Sequence, residues 1–148
     1  MKPFCEVVAF EILPAVRAMV ARQMTKEYKM PQKKVARLLG VSQPAISQYK
    51  RDLRGYRSSI FKNNPGLRSM VNRIAEGLAS GEIRDAQSTI SFCELCKAIR
   101  FSGAGCAAHK SRDRSKGDCN ICQDNQDFYG KPKGKPGRLG RIKKLSKF

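Results

Sequence analysis

The chain has 148 residues, which suffices for one compact core or for a small helical domain with an appended segment. Lysine and arginine number 30 against 12 acidic residues, so the formal net charge is +18 and the pI is near 10.1. This balance is typical of nucleic-acid-binding proteins, although ribosome-associated proteins, membrane-surface proteins and disordered tails share it. No window approaches the apolar length that spans a bilayer, so we expect no membrane span.

The N-terminal apolar stretch is interrupted by Glu6 and Glu11 before the core of a signal peptide forms. We therefore expect a cytoplasmic protein. In that compartment the six cysteines indicate thiolates for metal ligation or redox chemistry rather than disulfides.

An amphipathic helix is predicted from Leu13 onward, because apolar residues recur there at helical spacing with basic residues between them. The apolar positions are Val16, Val20, Met24 and Tyr28. Pro14 fits the first turn of this helix, or a kink if the helix begins nearer Cys5, and the sequence leaves both open.

The segment Gln32–Arg51 has the residue types of a helix-turn-helix in one register. Ala36 is small where two helices cross, and Gly40 stands where the turn needs a positive φ. Val41 fills the corner behind the glycine, and Ser42 is placed to cap the second helix. An ordinary helical hairpin shares some of these residues, but the joint match favours a DNA-binding motif. The predicted shared core is Val35, Leu38, Leu39, Ile46, Tyr49 and Leu53.

From Met30 to about Gly55 the sequence resembles the helix-turn-helix regulators of the λ-repressor and Cro type. The wider arrangement is similar to archaeal transcriptional regulators, some of which carry a thiamine-phosphate synthase domain that this sequence does not contain. That arrangement is Lys2-Pro-Phe-Cys-Glu6, then Ile12-Leu-Pro-Ala-Val16, then the motif and a CxxC pair.

The resemblance implies that the second helix of the motif lies in the major groove of double-stranded DNA, with its N-terminal residues on the bases. It also implies a homodimer, since such motifs commonly read two-fold operators. The base-reading residues would be Gln43, Pro44, Ser47 and Gln48. The phosphate-binding candidates are Lys33, Lys34, Lys50, Arg51, Arg54 and Arg57, although each cation taken singly is as well explained as a solvated surface charge.

After the motif, Asn64 and Pro65 predict the cap and first turn of another helix, which Gly81 ends. Its apolar face is Leu67, Val71, Ile74 and Leu78, and a further helix is predicted through Ile83, Ala86 and Ile90. Residues 1–90 are therefore predicted to form an all-α DNA-binding bundle with the helix-turn-helix at 31–54.

Residues 91–124 are predicted to form a small cysteine-rich segment stapled by a metal, because few large apolar side chains occur there. The candidate ligands are Cys93, Cys96, Cys106, Cys119 and Cys122, with His109 completing a third closely spaced pair. Cys93 and Cys96 with Cys119 and Cys122 would suit zinc, whereas Cys93, Cys96 and Cys106 with one later cysteine would suit an iron–sulfur cluster. The sequence leaves zinc and iron–sulfur open. A lone histidine is more often a surface residue. Cys5 is remote in sequence and most simply a helix-end thiol, although it could approach the cluster in the fold.

Residues 125–148 are predicted to form a flexible, disordered basic tail, since Lys131 to Phe148 contains eight cations and no acid. The function that these features favour is sequence-specific transcriptional regulation, with a metal centre that senses redox state or metal; no effector can be named. The alternative is a small basic RNA- or ribosome-binding protein of zinc-ribbon type. An enzyme is not expected, because a thioredoxin-like βαβ setting, a nucleotide-binding glycine loop and a catalytic triad are all missing.

Overall fold

A computed structural model describes residues 3–51, 58–84, 86–112 and 119–124. These residues form helices and turns without any β-strand, so the all-α prediction is confirmed for them. The tail from Lys131 to Phe148 lies outside the described residues.

The chain begins with a helical run that changes its hydrogen-bonding pattern before the proline. α1 (Phe4–Val7) leads into a π-helical turn (Val8–Ile12), and α2 (Leu13–Lys26) follows with Pro14 in its first turn. A proline has no backbone N–H and its ring crowds the carbonyl four residues earlier, so the wider π-helical turn accommodates it. The helix therefore does begin near Cys5.

α2 is the central helix of the core. Val16, Val20 and Met24 are completely buried on it, as the helical spacing predicted. Tyr28 is not part of this face: the helix ends at Lys26, Lys29 has a φ of 52°, and the Tyr28 side chain is 40% exposed. The prediction for Tyr28 was wrong because the left-handed residue turns the chain away before another helical turn is completed.

α3 (Gln32–Leu39) and α4 (Gln43–Arg51) follow, and both pack against α2. Val35 and Ile46 are completely buried between the three helices. The other predicted core residues of the motif that are described, Leu38, Leu39 and Tyr49, are half-buried against the same core. Leu53, Arg54 and Arg57 lie outside the described residues.

α5 (Ser58–Lys62) is short, and α6 (Pro65–Ser80) lies along α2. The predicted face of α6 is buried, and Gly81 ends the helix with a φ of 78°. Asn64 does not cap α6 through its side chain: its Nδ2 donates instead to the carbonyl of Ile60 at 2.8 Å.

α7 (Ala86–Phe101) is continuous across the predicted domain boundary at residue 90. Its residues Leu95 and Ile99 are each 1% exposed and belong to the same core as α2 and α6. The first half of the cysteine-rich segment thus packs by its own apolar residues. Ile83 precedes the helix and packs on Gly77, where an added Cβ would come within 2.4 Å of the isoleucine Cδ1.

The two last described helices, α8 (Cys106–Arg112) and α9 (Ile121–Asp124), contact α1 and α7 respectively. α8 is tied to the π-helical turn by an ion pair between Arg112 and the buried carboxylate of Glu11. None of the helices in the described ranges has the length and apolar character needed to cross a membrane.

Candidate nucleic-acid interface and metal-binding residues

The turn between α3 and α4 is built by the residues that the motif requires. Gly40 is left-handed, with φ 62° and ψ 34°, which a side chain would penalise. The amide of Val41 donates to the carbonyl of Ala36 at 3.0 Å and closes the end of α3. Ser42 Oγ then accepts a bond from the amide of Ala45 at 3.3 Å, so it caps the first turn of α4.

The residues predicted to read bases lie at the beginning and along one side of α4. Gln43, Pro44 and Gln48 are exposed, whereas Ile46 faces the core. Ser47 is half-buried, and its hydroxyl accepts a hydrogen bond from Arg51 at 3.3 Å. An intact helix therefore exposes two glutamine amides on its surface.

The predicted phosphate-binding residues are described only in part. Lys33 and Lys34 are exposed in the first turn of α3, and neither pairs with an acid among the described residues. Arg51 is exposed on α4, and the side chain of Lys50 is not described.

A second basic surface was missed by the sequence reasoning, because its residues are far apart in the chain. It is an open groove of about 910 Å³ between the second half of α2 and the helices α5 and α6. Its cations are Arg22, Lys26, Lys62 and Arg68, and its apolar wall includes Met19 and Phe61.

The candidate metal ligands are distributed over α7, α8 and the segment around α9. None of the six cysteines, all of which lie in the described ranges, forms a disulfide bond. In the described part of the chain, no group of three or more cysteine, histidine, aspartate or glutamate side chains is arranged so that it could hold a metal ion. The thiols nevertheless fall into two groups.

The first group surrounds Arg100 and includes Cys5, which is remote from the other cysteines in sequence. Arg100 Nη2 donates to Cys5 Sγ at 3.4 Å, and the guanidinium lies 4.6 Å from the centre of the Phe4 ring. The pKa of Cys96 is raised to about 11, mainly by burial and also by the nearby thiols of Cys5 and Cys93, while Arg100 acts to lower it. Because a thiol with that pKa keeps its proton at neutral pH, Cys96 is not an activated nucleophile.

The second group lines one small cavity of about 10 Å³. Its sulfur and imidazole residues are Cys106, His109, Cys119 and Cys122, and its other lining residues are Phe4, Lys110 and Asn120. His109 is 8% exposed, so it is not the surface histidine that a lone histidine suggests. Its ring and the Phe4 ring are nearly perpendicular, with the ring centres 5.7 Å apart. Only the Cys106-x2-His109 spacing pointed to it in the sequence.

No protein-family model, curated protein or solved structure matches this chain.

Proposed function

We propose that this protein is a sequence-specific DNA-binding transcriptional regulator in which α3 and α4 act as a helix-turn-helix. The observation that carries the proposal is the Gly40–Ser42 turn. The left-handed Gly40 ends α3, and Ser42 caps the first turn of α4. Along α4, Gln43 and Gln48 are exposed while Ile46 is buried. A helix held in this way by a rigid core fits the width of the DNA major groove.

The exposed amides of α4 supply the chemistry of base reading. The preferred bidentate partner of a glutamine side chain is adenine, because its Nε2 can donate to adenine N7 while its Oε1 accepts from the N6 amine. Pro44 at the start of the helix adds an apolar surface of the kind that contacts a thymine methyl group. The proposal therefore places base recognition at Gln43 and Gln48.

The charge of the chain supports a phosphate-bearing partner. The net charge is +18, and Lys33 and Lys34 are exposed in the first turn of α3 without an acidic partner among the described residues. Such cations displace counterions from DNA, which gives affinity without sequence preference. Homodimer formation would place two α4 helices on a two-fold operator.

The test is selection of genomic DNA fragments by the purified full-length protein, followed by quantitative binding to the selected site. Gln43→Ala and Gln48→Ala should each weaken specific binding by about 1–3 kcal/mol and leave binding to random duplex nearly unchanged. Gln87→Ala on α7 is the matched control and should bind as the wild type does. Equal losses on specific and random DNA would refute base reading by α4.

The competing function is RNA or ribosome binding by the basic tail and the cysteine-rich segment. Competition of a labelled duplex with structured RNA separates the two functions. A regulator of the proposed kind should keep its operator in the presence of excess RNA. If RNA displaces the labelled duplex, and the α4 substitutions do not change this displacement, the result would support RNA or ribosome binding instead.

We also propose that the cysteine-rich segment binds a metal, as zinc or as an iron–sulfur cluster. The support is the second thiol group, in which closely spaced ligand pairs from α8 and from the segment around α9 line one cavity. Metal binding would fix the last two helices, and loss of the metal would give the regulator a way to respond to oxidants or metal supply.

A further inference from the structure

We propose that Cys106, His109, Cys119 and Cys122 form a zinc site, and that Cys93 and Cys96 are not its ligands. This assignment rests on the proposed metal binding of the cysteine-rich segment and is independent of DNA binding. Its basis is that the four side chains line one cavity, whereas the lining of that cavity includes neither Cys93 nor Cys96.

The backbone supplies the four ligands as two pairs. Cys106 and His109 are three residues apart on α8 and therefore lie on the same side of that helix. Cys119 precedes α9 and Cys122 is within it, which gives the second pair the same spacing. Two such pairs on separate elements are the usual way in which a chain surrounds a tetrahedral zinc ion.

The size of the cavity favours a single ion over a cluster. About 10 Å³ is roughly the space that one water-sized sphere occupies, whereas an iron–sulfur cluster places several iron and sulfide atoms between its ligands. Zinc needs ligand distances of only about 2.0–2.3 Å. As they stand, the four side chains are not at these distances from a common point, so zinc binding would require them to rotate toward the cavity.

The charge around the cavity fits the same ion. Binding of Zn²⁺ by three thiolates and a neutral imidazole gives a centre of net charge −1, and three thiol protons pass to the solvent as it forms. Lys110 also lines the cavity and brings a positive charge to that centre. Phe4 forms an apolar wall against the His109 ring, which limits the access of water on that side.

The other thiol group makes a matched control. Cys5 and Cys93 are both exposed, so serine at these positions should not disturb the core. Cys5 belongs with Arg100 to the other group, and Arg100 lies over the Phe4 ring, which also contacts the His109 ring. The two groups are thus neighbours that separate variants can distinguish.

The experiment measures zinc content by elemental analysis and the visible spectrum of the Co²⁺-loaded full-length protein. Wild type and the Cys5→Ser/Cys93→Ser variant should hold about one ion per chain, with the same tetrahedral cobalt spectrum. Cys119→Ser/Cys122→Ser should retain less than about a tenth of the metal. His109→Ala should also lose it, and His109→Cys should recover it with a shifted cobalt spectrum, which a purely structural role for His109 would not produce.

Other results overturn the assignment. If Cys5→Ser/Cys93→Ser loses the metal, or if Cys119→Ser/Cys122→Ser keeps it, the segment binds metal through a different ligand set. A brown wild-type protein from anaerobic purification, with iron and sulfide in place of zinc, also refutes the zinc site. If the wild type binds neither zinc nor iron, both this assignment and the proposed metal binding fail, while the DNA-binding proposal stands on its own test.

Discussion

Arg112 at the end of α8 donates a hydrogen bond to the carboxylate of Glu11, which lies buried in the π-helical turn 101 positions earlier in the chain. This contact attaches α8 to the N-terminal helices, as does the packing of Phe4 against Gly105, the residue before α8. The position of α8 therefore depends on an ion pair in which the Glu11 carboxylate is buried.

We predict that Arg112→Gln lowers the free energy of unfolding by about 1–2 kcal/mol, because it removes the cation from a buried carboxylate. The expected loss of stability is small because the Arg112 side chain is 45% exposed. Denaturant unfolding measures the loss, and limited proteolysis should show earlier cleavage around α8. The control is Lys97→Gln, which removes a local ion pair with Glu94 of 3.0 Å and should cost less than about 0.5 kcal/mol. A similar loss of unfolding free energy in both variants would mean that the Glu11–Arg112 ion pair contributes no more to stability than the local Glu94–Lys97 pair does.

A second prediction concerns the turn before α4. Gly40→Ala should cost about 1–2 kcal/mol, because φ is 62° and a side chain is strained in the left-handed region. An added Cβ meets no atom within 4 Å, so the whole cost is that of the backbone. Gly40→Asn is the matched comparison and should cost less, since asparagine tolerates this conformation. Thermal or denaturant unfolding of both variants measures the two losses. An unfolding free energy for Gly40→Ala equal to or above that of Gly40→Asn would contradict the prediction.

A third prediction follows from the raised pKa of Cys96. Because this pKa is about 11 in the folded chain against an ordinary value of 9.0, the protonated thiol is favoured by folding. Its contribution to stability is fully present below pH 9 and is lost as the pH rises through 11. The difference in unfolding free energy between wild type and Cys96→Ala should therefore shrink across that interval.

Alkylation of the zinc-loaded protein followed by mass spectrometry tests the same point directly. Cys96 should react much more slowly than the exposed Cys93 at pH 8, and its rate should rise toward pH 11. Alkylation of the denatured chain is the control, in which the two thiols should react at comparable rates. Equal rates in the folded protein would show that Cys96 is not shielded.

A fourth prediction concerns the basic tail, which lies outside the described residues. Deletion of residues 131–148 removes eight cations and no acid, so affinity for every duplex should fall and the salt dependence of binding should flatten by at least about one unit of slope. Titrations at several salt concentrations, on operator and on random DNA, measure both effects. A truncated protein with an unchanged slope would assign the tail a role other than phosphate binding.

The sequence by itself determined the features that depend on short-range chemistry. The helical spacing of Val16, Val20 and Met24 predicted the buried face of α2. Gly40 and Ser42 predicted the turn before α4, because a left-handed residue and a helix cap act within a few residues of the chain. The all-α class followed from the same periodicity. The failures at Tyr28 and Asn64 are also local, since the left-handed Lys29 ends one pattern and the carbonyl of Ile60 competes for the asparagine side chain.

Only the tertiary structure decided which distant residues meet. Cys5 approaches α7 through Arg100, and His109 is buried beside Phe4, although neither contact has a signature in residue spacing. The division of the thiols into two groups depends on how α1 and α8 pack, and the end of α8 is held by the Glu11–Arg112 pair. Spacing restricts which residues can share an ion within one helix, whereas the partners across helices are chosen by packing of the whole core.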